Sequence, residues 1–266
     1  MDHNQAKSLS RVTFLVVFVA SISAASADTT TITIIHYEFS ANDTTDSVGL
    51  MRALQRALEA YPGALLLNPT GHLGKRLWIQ HDATAPNLAD IVQRKQARPL
   101  SSRSDPLIAA NIRIPGRAHV RPSTVATVGA SGTRVGLVGF VSESEGEEPQ
   151  AAALMVSATP PEEAVRREAQ RIKGNSVPLV VALGNAGYPE DEAVAASVAQ
   201  VDAVVAAHGG GDGYPVGVQQ ASGKVVPLLR APPDTVCVAQ LMFGEDGGLL
   251  DWGGFVVPIG HEGKDA

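Results

Sequence analysis

The stretch from Val177 to Asp212 constrains the fold more than any other part of this chain. It reads VPLVVALGNAGYPEDEAVAASVAQVDAVVAAHGGGD. Val177 to Leu183 is a continuous apolar run broken only by Pro178, the pattern of a strand covered on both faces. Gly184 to Gly187 predicts a sharp turn. Pro189, Glu190 and Asp191 then open a helix, with proline and acids where a helix start favours them. Asp202 to Ala207 predicts a second buried strand, which ends at His208 and a run of glycines. Strand, helix and strand in this order predict a parallel pair. The loops after both strands, Gly184 to Gly187 and His208 to Gly211, then share one edge of the sheet. That edge is where ligands bind in open α/β sheets.

The first residues read as a targeting signal. Lys7 and Arg11 form a positive start, Val12 to Ile22 is a short apolar run, and Ala25-Ser26-Ala27 is a small-residue cleavage site. Residues 1–27 are therefore expected to be a signal peptide, directing the chain to an extracellular or periplasmic space. The apolar run is too short to span a bilayer comfortably, so no membrane span is expected after cleavage. The remaining 239 residues (266 less 27) can bury a substantial core. The whole chain carries a formal charge of −6, and an acidic balance argues against a nucleic-acid partner. Cys237 is the single cysteine and lies within Val236-Cys237-Val238-Ala239, the setting of a buried structural thiol. Asn42-Asp43-Thr44 is a glycosylation sequon at Asn42, meaningful in a eukaryotic source.

The stretch Leu183-Gly184-Asn185-Ala186-Gly187-Tyr188, then Asp191, Asp202 and Ala207-His208-Gly209-Gly210, resembles the paired metal motifs of the calcineurin-like metallophosphoesterases, in the version carried by secreted 5′-nucleotidases. The family pattern is Leu-Ser-His-Leu-Gly-Tyr followed by Gly-His-Ser-His. Of its three histidines only His208 is kept here. Asn185 and Gly210 stand at the other two places. The family's opening strand ends His-Thr-Asn-Asp-x-His, against His36-Tyr37-Glu38-Phe39-Ser40-Ala41 here, so Phe39 and Ala41 replace two ligands. Glu38 and Asp43 are nearby oxygens, either substitute ligands or solvated loop acids. Thr70-Gly71-His72 lies over the family's Ser-Gly-Asp, so His72 replaces a carboxylate that bridges two metals. A neutral imidazole ligates one cation and cannot bridge two as a carboxylate does. Gln80-His81-Asp82 resembles the family's Asn-His motif, in which the asparagine binds metal and the histidine acts on the leaving group. His81 is either that histidine displaced or an ordinary loop histidine.

Other segments fit the same resemblance. Thr31 to His36 and Ala64 to Leu67 predict strands, and Asp46 to Tyr61 an amphipathic helix with Leu50, Leu54 and Ala57 on one side. Pro86 to Lys95 predicts a short helix. Pro106 to Ile112 predicts a strand and matches the family's Leu-x-Ala-Asn. Ser123 to Val128 and Thr133 to Val141 predict a hairpin, whose Arg134 to Phe140 resembles the family's Lys-Val-Gly-Ile-Ile-Gly. Pro160 to Lys173 predicts a charged helix with Ala164, Val165, Ala169 and Ile172 facing a sheet. Lys224 to Arg230, Thr235 to Phe243 and Leu249 to Val257 predict antiparallel strands.

The resemblance implies an α/β fold: a four-layer α/β/β/α sandwich with two mixed sheets flanked by helices. It implies one metallophosphoesterase-like domain over residues 28–266, without the nucleotide-gripping second domain of a typical 5′-nucleotidase. The implied ligand set is His208, His72, Asn185 and Gln80, holding a divalent metal (Zn, Mn or Mg) or none, with His81 as the catalytic acid. Gly209, Gly210 and Gly211 could present backbone N–H groups to a phosphate. Three functions stay open: a pseudoenzyme that binds a small phosphorylated molecule or nucleotide, a weak single-metal phosphoester hydrolase, and a secreted ligand-binding domain unrelated to phosphate. The sequence names no protein partner.

Overall fold

The computed structural model describes residues 29–37, 47–67, 107–113, 120–128, 132–143, 157–207, 213–232 and 235–259. The expected signal peptide, the helix expected at 86–95, and Glu38, Asn42, Asp43, His72, Gln80, His81 and His208 to Gly211 lie outside the described residues.

Two mixed sheets face each other. The four-stranded sheet is built from β1 (Thr30–Tyr37), β2 (Leu65–Leu67), β13 (Thr235–Phe243) and β14 (Leu249–Pro258), in the order β14-β13-β1-β2. The pair β1/β13 is antiparallel, with His36 opposite Cys237, and β1/β2 is parallel. The six-stranded sheet comprises β6 (Ser123–Val128), β7 (Thr133–Val141), β9 (Leu179–Asn185), β10 (Ala203–Ala206), β11 (Val216–Gln219) and β12 (Val225–Arg230). Its order is β11-β12-β10-β9-β7-β6. The four central strands run parallel, and β6 and β11 flank them antiparallel. Two short pairs, β3 (Leu107–Ile108) with β5 (Val120–Arg121) and β4 (Ile112–Arg113) with β8 (Ser157–Ala158), lie beside them.

Three buried clusters define the layers. Helix α1 (Ser47–Ala60) lays Leu50, Ala53, Leu54 and Ala57 on Ile35, Val236 and Val238 of the four-stranded sheet. Ile32, Ile34, Leu241 and Phe243 meet Val135, Val181, Val205 and Leu229 between the sheets. Helices α2 (Pro161–Gly174) and α3 (Tyr188–Ser197) cover the far face of the six-stranded sheet through Val165, Ile172 and Val194, with Val198 just past the end of α3. The result is the expected α/β/β/α order of layers. Alternation along each strand explains it: Val181 and Val205 point to the inter-sheet layer, while Val180, Ala182, Val204 and Ala206 point to the helices.

Sequence and structure part at three places. The stretch 106–112 is not one strand. It breaks at Ala110-Asn111, because Asn111 turns inward and bonds backbone. Its Nδ2 donates to the carbonyls of Val141 (2.8 Å) and Thr159 (3.0 Å), and the Val141 amide donates to its Oδ1 (3.1 Å). The strand opening at Leu179 runs past its expected end at Leu183 to Asn185, which is still paired with Val141 of β7. The three C-terminal strands do not form one antiparallel set. β12 pairs parallel with β10, and β13 crosses to the other sheet to pair with β1. Strands with near-identical apolar patterns are separable only by their partners.

Candidate functional site

The parallel strands β7, β9, β10 and β12 all end at one edge. Register places Phe140, Gly184, Ala206 and Arg230 in one row across these strands. Asn185 is one residue beyond that row. Pleating therefore turns Asn185 toward the inter-sheet side, with Val181 and Leu183, and turns Gly184 and Arg230 toward α3.

On the α3 side, the edge is crowded around Gly184. A Cβ there would overlap Asp191 Oδ1 and approach Phe140 Cζ to 2.6 Å, so only glycine lets α3 sit this close. Asp191 is fully buried, and neither carboxyl oxygen completes a hydrogen bond among the described residues. Burial pushes its pKa up to about 8. Glu190 reinforces this, while the nearby Ala186 amide and Arg230 oppose it. At neutral pH the group is largely uncharged. Arg230 stacks its guanidinium 4.1 Å from the centre of the Tyr188 ring at the start of α3.

On the inter-sheet side, His36 lies near the end of β1, fully buried, and its Nε2 shares a 2.7 Å hydrogen bond with the Tyr214 hydroxyl. Burial pulls the His36 pKa down to about 3 and pushes the Tyr214 hydroxyl upward, so both stay neutral. Cys237, opposite His36, is buried with its thiol pushed up to about 12, which makes it inert, as its sequence setting implied.

Of the residues singled out from sequence as site candidates, the described structure places Asn185 alone. It is buried at the carboxyl end of β9. His72, Gln80, His81, His208, Gly209, Gly210, Gly211 and Asn42 lie outside the described residues. Among the described residues, no three His, Cys, Asp or Glu side chains come together as metal ligands. The donor chemistry described at this edge does not fit a two-metal centre. Asn185 offers a neutral amide in place of an imidazole, Asp191 lies on the other face of β9, and Arg230 brings a positive charge to the same edge. Sequence reasoning passed over Arg230 and Tyr188. The available signal was a cation closing the buried run Val226–Leu229, at the edge already marked for ligands.

The arrangement has parallels among solved structures. The 5′-nucleotidase precursor of Thermus thermophilus superposes with a TM-score of 0.64 over 86% of this chain and 55% of its own, at 20% identity. The calcineurin-like phosphoesterase YfkN of Bacillus subtilis gives 0.61 over 87% of this chain and 92% of its own, at 15% identity. This is the calcineurin-like metallophosphoesterase fold. In sequence, the chain is 26% identical over 189 residues to an apyrase of Aedes aegypti. No family model matches it. The chain spans a third or less of the length of the curated relatives it matches, 33% for the apyrase and 25% for Protein 5NUC of Lutzomyia longipalpis. The segment that carried the sequence resemblance to the N-terminal domain of 5′-nucleotidases folds as β9, α3 and β10. No described helix is long and apolar enough to cross a membrane.

Proposed function

We propose that this protein is a secreted, 5′-nucleotidase-like pseudoenzyme that binds a small phosphorylated molecule, such as a nucleotide, without hydrolysing it. The observation that carries this reading is Asn185. It occupies the carboxyl end of β9, where the resemblance expects a metal-binding imidazole, and is buried in the folded chain. A carboxamide is a weak, neutral donor, and loss of several ligands lowers metal affinity steeply. The replacements Phe39, Ala41 and His72 act in the same direction. What supports retained binding is the scaffold itself: a parallel sheet edge carrying Arg230, and a sequence in which Ala207 is followed by His208 and three glycines suited to an anion.

The test is metal content and phosphomonoester hydrolysis of the purified chain after incubation with Mn²⁺ or Zn²⁺, beside calorimetric titration with AMP. The expected outcome is AMP binding without metal-dependent turnover. About one metal per chain, with hydrolysis lost in His208→Ala, would overturn it in favour of a single-metal hydrolase using His208, His72, Asn185 and His81.

A further inference from the structure

The α3 flank of the sheet edge holds a cation that the fold itself does not explain. Arg230 closes β12, directly after the buried run Val226, Pro227, Leu228 and Leu229. The acid it acts on electrostatically among the described residues is Asp191. Its Nε is buried without a partner. An arginine placed only for stability would be expected to find a carboxylate or carbonyl for a buried N–H. The acid on the same flank, Asp191, is buried and largely uncharged at neutral pH, so it does not cancel the guanidinium charge.

The geometry also fixes the guanidinium. Arg230 lies over Tyr188, 4.1 Å from the ring centre, reaching past the small Ala206 of the intervening strand β10. Stacking on an aromatic ring leaves the edge of the guanidinium free, and that edge carries the fork of N–H donors that matches phosphate. Tyr188 itself is 42% exposed, so the platform opens to solvent rather than into the core. The edge is the carboxyl end of a parallel sheet, where ligands dock in such folds.

We propose that Arg230, braced on Tyr188, is a metal-independent anion-binding residue of this chain, taking the phosphate group of a small phosphorylated ligand through its free donor edge. The inference rests on the phosphate-binding reading above, and it places the contact on the α3 flank rather than at Asn185.

The experiment is calorimetric titration of the full chain with inorganic phosphate and with AMP, in EDTA at pH 7. It compares wild type with Arg230→Gln, Arg230→Lys and Tyr188→Leu, with circular dichroism as the folding control. Arg230→Gln is expected to weaken phosphate binding about tenfold or more, since a charge-assisted fork is lost. Arg230→Lys should fall between the two, because a point charge replaces the fork. Tyr188→Leu should weaken binding about two- to fivefold by unfixing the guanidinium. A folded Arg230→Gln with unchanged affinity overturns this inference and leaves the phosphate-binding reading standing. No binding by wild type overturns both. Should Arg230→Gln not fold, unchanged affinity in both Arg230→Lys and Tyr188→Leu overturns the inference equally.

Discussion

His36 and Tyr214 join the two sheets: the imidazole near the end of β1 and the hydroxyl just before β11 lie 2.7 Å apart, with the imidazole fully buried. Tyr214 follows the loop after β10, so this bond ties the carboxyl end of β1 to the same edge of the six-stranded sheet that carries Asn185. Removing the hydroxyl leaves a buried imidazole nitrogen unmatched. Tyr214→Phe is expected to cost about 1–3 kcal/mol of stability, read as a lower urea midpoint with an unchanged slope at pH 7.

Two buried groups should give the stability a characteristic pH profile. His36 is neutral when folded, with a pKa near 3, and protonates in the unfolded chain near its ordinary value of about 6.5. Its contribution is complete above about pH 6.5 and is lost as pH falls toward 3. Asp191 behaves oppositely. It holds its proton up to about pH 8 when folded, whereas the unfolded chain releases it near pH 4, so stability falls as pH rises through that window. The two effects offset each other between about pH 4 and 6.5 and leave Asp191 dominant above. Urea unfolding at about pH 5, 6.5 and 8 should show the gain of Asp191→Asn over wild type growing with pH. A gain independent of pH would mean that Asp191 is ionised in the fold.

Asp202 anchors the opposite edge of the sheet. It accepts from Lys173 at 2.7 Å, Lys224 at 2.9 Å and the Val180 amide at 2.8 Å. Its side chain is 5% exposed, whereas both lysines are 29% exposed and can be rehydrated. Asp202→Ala should therefore cost about 3 kcal/mol, the low end for breaking a buried pair, with the loss seen in thermal and urea unfolding alike. Binding of phosphate at the far edge should be unchanged in the folded variant.

Asn111 matches a family motif by sequence, yet the structure gives it a structural task. Its side chain makes three hydrogen bonds that close the end of β7 onto the segment before α2. Asn111→Ala strands two carbonyls and one amide, and about 2–4 kcal/mol of destabilisation is expected. Asn111→Asp keeps the acceptor for Val141 but loses both donors, so it should rescue little. Full stability of either variant in urea would show that the turn reforms its bonds with water.

The course of β7 and the hairpin before it were legible in the sequence. Alternation in Ser123–Val128 and the apolar run Thr133–Val141 give their own boundaries, because both are decided by local pattern. The same is true of Leu50, Leu54 and Ala57 in α1, whose spacing alone marks the buried side. The candidate site was legible only as motif positions along the chain. Arg230 and Tyr188 are 42 residues apart (230 less 188), and nothing local says that they touch.

By itself, the sequence determined the buried sides of α1 and α2, since their hydrophobic period states them. It also determined that a neutral carboxamide, Asn185, stands two residues past Leu183, where the family resemblance expects an imidazole. Only the tertiary structure decided that β12 joins β10 while β13 crosses to β1, because both strands are apolar enough to fit either sheet. It alone decided that Asp191 is shut against Gly184 and largely uncharged, and that Arg230 is left with a buried donor and an aromatic brace. Burial and contact are properties of neighbours in space, and a carboxylate or a guanidinium carries no mark in the chain of the dielectric it will meet.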